Sequence, residues 1–109
     1  MNKPTDEQAK ESWERYGLKE SPSGIRYPED RGSDYHRTYP PIDLNNLFRY
    51  AEFKAVINIG IKRKISIDDA RGWLFELWLD NMKKGLNYID ALFWALWEVK
   101  DNDNASSHP

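Results

Sequence analysis

The segment Trp73-Leu74-Phe75-Glu76-Leu77-Trp78-Leu79 is apolar at six of its seven positions, and this pattern indicates the fold class. Consecutive residues on an α-helix are about 100° apart, so these apolar side chains cover well over half of the circumference. A surface helix usually has an apolar stripe over roughly a third of its circumference. We therefore predict that this segment is the central helix of the protein and is buried on two sides.

Both ends of this helix carry terminus signals. Ser66 is a favoured N-cap residue. Lys83 and Lys84 lie in the last turn, where positive charge is favourable, and Gly85 is typical of the residue that follows a helix. The helix is therefore predicted over residues 67 to about 84.

A second helix is predicted before the central one, over residues 44 to about 59, with Asp43 as its N-cap. Its apolar residues recur with helical spacing, and they are Leu44, Leu47, Phe48, Ala51, Ala55 and Ile59. The β-branched run Val56-Ile57-Asn58-Ile59 is also compatible with a strand. We favour the helix because its period is continuous from Leu44.

A third helix is predicted over residues 88 to about 100, with Asn87 as its N-cap. Its core face has the same spacing and consists of Tyr88, Ala91, Leu92, Ala95, Leu96 and Val99. The fold class is therefore predicted to be all-α, with a small three-helix core over residues 43–100. Residues 101–109 are predicted to be a disordered polar tail.

Residues 1–42 are predicted to be an N-terminal arm rather than part of this core. Thr5-Asp6-Glu7-Gln8 resembles a capping box, which predicts a short helix over about residues 5–16. The following loop is rich in proline and glycine, so we predict that it is extended or disordered. It nevertheless carries several aromatic residues, which leaves two interpretations open: a flexible tail, or an arm that inserts its rings into the core or into a partner.

Length and composition exclude several classes of protein. The chain has 109 residues, enough for one domain, and a formal net charge of -2, which does not indicate a nucleic-acid or membrane-surface protein. It has no cysteine, which excludes disulfides and thiolate chemistry. A polar N-terminus and the lack of a long apolar run predict no secretory signal and no membrane span. We therefore expect a cytoplasmic protein.

Residues with catalytic or metal-binding chemistry are present, but they form no motif. His36 and His108 have no helical histidine or carboxylate partner at metal-ligand spacing. Glu76 and Asp80 are one helical turn apart and are interpreted as a solvated face rather than a catalytic pair. We therefore predict no enzyme activity, no cofactor and no metal site.

The aromatic content of 14% exceeds what a small three-helix core needs. Phe93, Trp94 and Trp97 are predicted to point away from the core face of the third helix, which leaves apolar surface to be covered. The cover could be the chain's own arm, a second copy or a foreign protein. The predicted partner-binding residues are Trp78, Phe93, Trp94, Trp97, Trp13, Tyr35 and Tyr39.

The sequence thus predicts a non-enzymatic protein–protein interaction module. We expect a small regulator or inhibitor, of the type carried by phages and mobile elements, that binds a larger protein or forms a homodimer through an aromatic helical face. The alternative is a small nucleic-acid-binding regulator. It would use the basic connector Lys62-Arg63-Lys64, because a basic loop between helices can contact phosphates.

Overall fold

The structure, a computed structural model, describes residues 3–28, 30, 32 and 34–106, with the side chains described up to residue 99. It is mainly helical, as predicted, with a compact core of three packed helices. In chain order the elements are helix α1 (Asp6–Arg15), strands β1 (Lys19–Ser21) and β2 (Gly24–Arg26), helix α2 (Leu44–Leu47, Phe48–Glu52 and Phe53–Arg63, without interruption), helix α3 (Ile67–Lys83) and helix α4 (Tyr88–Ser106).

Side-chain caps begin the first three helices. Thr5 and Gln8 form a reciprocal capping box at α1, with bonds of 3.0 and 3.1 Å. The Asp43 carboxylate accepts the Asn46 N–H at 2.8 Å, and the Ser66 hydroxyl accepts the Asp69 N–H. These helix starts were predicted because a cap depends on neighbouring residues alone.

Helix α2 continues through the β-branched run, so the strand alternative for residues 56–59 is wrong. Its turn Phe48–Glu52 is π-helical, and three consecutive side chains, Tyr50, Ala51 and Glu52, are buried there. A π turn has more residues per turn than an α turn, which lets neighbouring side chains face the same side. The helix ends at Lys64, which adopts a left-handed conformation with φ of 55°.

The loop predicted to be extended or disordered contains a β-hairpin, which the sequence analysis missed. Strands β1 and β2 pair antiparallel, with Ser21 opposite Gly24. Ile25 also exchanges backbone hydrogen bonds with His36, at 2.8 and 2.9 Å. Gly24 has a φ of +130°, and a Cβ there would lie 2.9 Å from the His36 carbonyl oxygen. Glycine is therefore required at position 24, where the backbone of His36 lies against the hairpin.

The N-terminal segment and the three long helices share one core. Trp13, Tyr16 and Leu18 are buried in the same cluster as residues of α2, α3 and α4. The Trp13 indole donates to the Pro40 carbonyl at 2.9 Å, and the Tyr16 hydroxyl donates to the Leu96 carbonyl at 2.6 Å. Helix α1 therefore packs against α4.

The prediction that α3 is buried on two sides is wrong. Trp73, Phe75 and Leu79 are exposed, and α3 packs on the core mainly through Ala70 and Leu74. Helix α4 is the more buried element, because α1 covers it on one side while α2 and α3 contact it on others. Helix α4 also continues to Ser106, past the predicted end at residue 100. The last three residues of the predicted tail, including His108, lie outside the described residues.

Candidate functional site

Two of the predicted partner-binding residues are part of the core, which corrects the prediction. Phe93 is 0% exposed and Trp13 is 1% exposed. Neither ring can contact a partner while the chain is folded. The reason is the docking of α1, which brings Trp13 inside and covers α4 with the chain's own arm, one of the three covers that the sequence left possible.

Trp94 and Trp97 pack around Phe93 and are partly buried. The centroids of the Phe93 and Trp94 rings are 4.9 Å apart, and those of Trp94 and Trp97 are 5.5 Å apart. The Arg15 guanidinium lies 4.3 Å from the centroid of Trp97, a cation–π contact from α1 to α4. Trp97 therefore helps to hold α1 against α4, and both rings are partly covered rather than fully open.

The two predicted tyrosines lie in the loop that follows the hairpin. Tyr35 is exposed, and the Arg26 guanidinium lies 4.6 Å from the centroid of its ring. Tyr39 is partly buried and packs against the core. Trp78, by contrast, lies on α3.

Trp78 belongs instead to a different aromatic cluster, which the sequence analysis did not identify as a site. Its ring centroid lies 5.9 Å from that of Phe48 and 6.0 Å from that of Phe75. Its indole N–H donates to the Tyr88 carbonyl at 2.8 Å. Leu79 lies one helical turn beyond Phe75. We call Phe48, Phe75, Trp78, Leu79 and Tyr88 the aromatic face.

The aromatic face joins three helices and is open to solvent. Phe48, Phe75, Leu79 and Tyr88 are 38%, 39%, 51% and 55% exposed. Trp78 is partly buried among them, and its polar N–H already has a hydrogen-bond partner. The helical period could have identified part of this face, because Phe75 and Leu79 lie away from the buried Leu74 around α3.

An ion pair fixes α2 against α3 beside this face. The Arg71 guanidinium donates to both oxygens of the Glu52 carboxylate, at 2.6 and 3.3 Å, and Glu52 is 6% exposed. The hydrogen bond and the negative charge of Glu52 raise the pKa of Arg71. Arg71 precedes Phe75 by one helical turn, so this pair lies next to Phe75 along α3.

His36 takes part in local structure. Its imidazole stacks on the Tyr27 ring with centroids 3.8 Å apart, and its Nε2 lies 3.1 Å from Asp30 Oδ1. Asp30 Oδ2 also accepts the Tyr27 N–H at 2.8 Å. These contacts tie the two sides of the loop together where Ile25 pairs with His36.

The Asp30 carboxyl group is expected to have a pKa below its ordinary value. The hydrogen bond from the Tyr27 N–H is the largest cause, and the bond to His36 adds to it. Because the pKa is lower in the folded chain than in the unfolded chain, the stabilisation by Asp30 is present above the unfolded-state pKa. It is lost as the pH falls through the folded-state pKa.

An NMR titration of the Asp30 carboxyl carbon measures this pKa directly. In His36→Phe, which keeps an aromatic ring beside Tyr27, the pKa should rise part of the way and remain lowered by the Tyr27 N–H. A wild-type midpoint at or above about 3.9, the ordinary value for aspartate, would show that the loop does not hold this geometry in solution.

The predicted basic connector is exposed, and one of its residues, Arg63, packs against an aromatic ring. Lys62, Arg63 and Lys64 are all exposed at the junction of α2 and α3. The Arg63 guanidinium lies 3.6 Å from the centroid of Trp73. Beside this pair is a cavity of about 130 Å³ lined by Asn58, Ile59, Lys62, Arg63, Trp73, Leu77, Glu98 and Val99.

Metal sites and membrane-spanning helices are both absent from the described part of the chain. Among the described side chains, which end at residue 99, no group of three or more histidine or acidic residues could hold a metal ion. No helix in that part is long and apolar enough to cross a membrane. Comparison with known proteins found no matching family model, no matching curated protein and no matching solved structure.

Proposed function

We propose that this chain is a non-enzymatic protein interaction module, a small regulator or inhibitor that dimerises through the aromatic face. The observation that carries the proposal is the exposure of four large apolar side chains, at 38–55% each, on the three helices that meet at Trp78. Isolated exposed apolar residues are ordinary, but a contiguous exposed cluster of this kind is typical of an interaction surface. A cytoplasmic location is part of the proposal and agrees with the absence of cysteine.

The chemistry of the face favours burial against another protein. Fully burying a large apolar side chain contributes roughly 1.5–3 kcal/mol, and tryptophan and tyrosine are enriched among the residues that dominate binding energy. Since the Trp78 N–H already donates to the Tyr88 carbonyl, covering Trp78 leaves no indole donor unpaired. The exposed Glu76 and Asp80 lie beside Phe75 and Leu79 on α3 and would form a polar rim.

The oligomeric state of the full chain tests this proposal. Light scattering at about 100 µM should give twice the chain mass of 12.9 kDa for the wild type. The variant Phe75→Ser/Leu79→Ser should give the monomer mass, because it removes apolar surface from the centre of the face without touching the buried core.

The matched control is Ile61→Ser, which removes an apolar side chain that is 74% exposed on α2 and lies outside the face. It should remain dimeric. A monomeric wild type, or a Phe75→Ser/Leu79→Ser variant that dimerises as well as the wild type, would overturn the proposal. Circular dichroism of each variant shows whether the fold is retained.

A second candidate function is nucleic-acid binding by the basic connector. The observation that favours it is the exposure of Lys62, Arg63 and Lys64 next to a Trp73 ring that is itself exposed. Phosphate contacts combined with an aromatic ring are a common way to bind single strands. Affinity for a labelled RNA or DNA oligonucleotide should then fall steeply with salt and be lost in Lys62→Ala/Arg63→Ala/Lys64→Ala. An absence of binding at 20 mM salt would end this candidate.

A further inference from the structure

Helix α3 has a continuous exposed stripe along its length. Asp68, Gly72, Phe75 and Leu79 follow one another at spacings of four, three and four residues, and Lys83 lies one turn further. All five are exposed, while Ala70, Leu74 and Asn81 face the core on the opposite side. Alternating spacings of four and three are the pattern of a helix that packs along a second helix.

Gly72 lies within this stripe although the packing of the chain does not require glycine there. A Cβ at this position would meet no atom within 4 Å, and the backbone is ordinary helix. Glycine is a poor helix former, second only to proline. A missing side chain on an exposed apolar stripe leaves a hollow that can accept a large side chain from another helix.

The charges at the two ends of the stripe are opposite. Asp68 and Asp69 lie in the first turn of α3, and Lys83 and Lys84 lie at its end, all of them exposed. At about 1.5 Å per residue, Asp68 and Lys83 are about 22 Å apart along the helix. They cannot pair within one chain, but each can pair with the opposite end of a second copy.

We propose that two copies of this chain pair through antiparallel α3 helices, with Leu79 of each copy seated over Gly72 of the other. The two-fold axis then lies between Phe75 and Glu76, and Asp68 of one copy faces Lys83 of the other. This inference rests on the proposed dimerisation and specifies its geometry. Phe48 and Tyr88, the outer parts of the aromatic face, flank the helix pair.

The charges select this arrangement over its alternatives. A parallel pair would place Asp68 against Asp68 and Lys83 against Lys83. An antiparallel pair centred on Gly72 would place Asp68 against Glu76. Each of these contacts brings like charges together, so both arrangements are disfavoured. The arrangement centred between Phe75 and Glu76 is the one that brings opposite charges together at both ends and fills the hollow at Gly72.

Charge reversal on the full chain tests the arrangement. We expect Asp68→Lys/Asp69→Lys and Lys83→Glu/Lys84→Glu each to weaken the homodimer by about tenfold or more in Kd, measured by analytical ultracentrifugation in 50 mM salt. A chain that carries all four changes should regain a homodimer with a Kd within about threefold of the wild type. In a parallel pair, like charges would face each other at both ends in the wild type and in all three variants. The two-residue variants would then not weaken the homodimer, and the four-residue variant would have no loss to restore.

A mixing experiment separates contact at the stripe from general charge attraction. An equimolar mixture of the two two-residue variants should form a heterodimer. The control pairs Lys83→Glu/Lys84→Glu with Glu7→Lys/Asp34→Lys, which makes the same change in net charge at exposed positions away from α3. This control mixture should show no gain in association over its components.

Gly72→Gln provides a second test that does not depend on charge. The space at Gly72 is open and glutamine is a good helix former, so the fold should be retained. The dimer Kd should rise by about tenfold or more, because the side chain occupies the hollow that Leu79 needs. A Gly72→Gln variant that dimerises like the wild type would overturn the inference.

The failure of this inference and the failure of the proposed function give different results. If the wild type is a dimer that Phe75→Ser/Leu79→Ser abolishes, but the four-residue variant stays monomeric, the arrangement is wrong and dimerisation through the aromatic face stands. If the wild type is a monomer at 100 µM, both are wrong.

Discussion

Replacing Trp13 by alanine is expected to lower the free energy of unfolding by about 3–5 kcal/mol. The Trp13 ring is fully buried and packs edge-to-face on Tyr50, with centroids 6.2 Å apart. Its removal leaves a cavity between α1 and the long helices. It also leaves the buried Pro40 carbonyl without the indole donor that lies 2.9 Å away. Such a loss is large for a domain of this size, whose total stability is typically 5–15 kcal/mol.

Urea unfolding followed by circular dichroism measures this effect, at a protein concentration low enough to keep the chain monomeric. Trp13→Phe is the matched variant, because it keeps an aromatic ring in the core and removes the indole donor. It should lose clearly less stability than Trp13→Ala. A loss below about 1 kcal/mol for Trp13→Ala, the range of an exposed site, would show that α1 does not dock on the helical core in solution.

Replacing Phe93 by alanine is expected to have a similar effect, about 3–5 kcal/mol. Phe93 lies at the centre of the core with no exposed surface, and its ring contacts Trp94 and Trp97. Phe93 was predicted to lie on a partner-binding surface, where truncation would leave stability nearly unchanged and weaken binding. Because the Phe93 ring is fully buried in the structure, its truncation is expected to lower the free energy of unfolding instead.

The same unfolding experiment on Phe53→Ala provides the control for Phe93→Ala. Both variants replace a phenylalanine by alanine, but Phe53 is 55% exposed on α2 whereas Phe93 is fully buried. We expect Phe53→Ala to change the free energy of unfolding by about 0.5 kcal/mol or less. Equal effects for the two variants would contradict the placement of Phe93 in the core.

The helices were predictable because their signals are local. The caps at Thr5, Asp43 and Ser66 involve residues three positions away, and the structure shows each of these bonds. The hairpin was not predictable in this way. Strand β2 also pairs with a third segment through His36, which lies eleven residues beyond Ile25. Glycine is needed at position 24 because the His36 carbonyl lies against it, and this contact exists only in the folded chain.

The candidate site was predictable only in part. Trp78 was identified because it is one of several large rings in an apolar helix, and it lies at the centre of the aromatic face. Phe93 and Trp13 were misassigned, because periodicity shows which side of a helix is apolar and does not show which element covers that side.

Caps and the helical period act within a few residues of the chain, so they were enough to predict a mainly helical protein and the starts of most of its helices. Which apolar surface remains open depends instead on contacts between residues far apart in the chain. The Tyr16 hydroxyl bonds to the Leu96 carbonyl eighty residues away, and this docking covers α4 with α1. Trp73 and Phe75 of α3 remain exposed, because α1 docks on α4 instead.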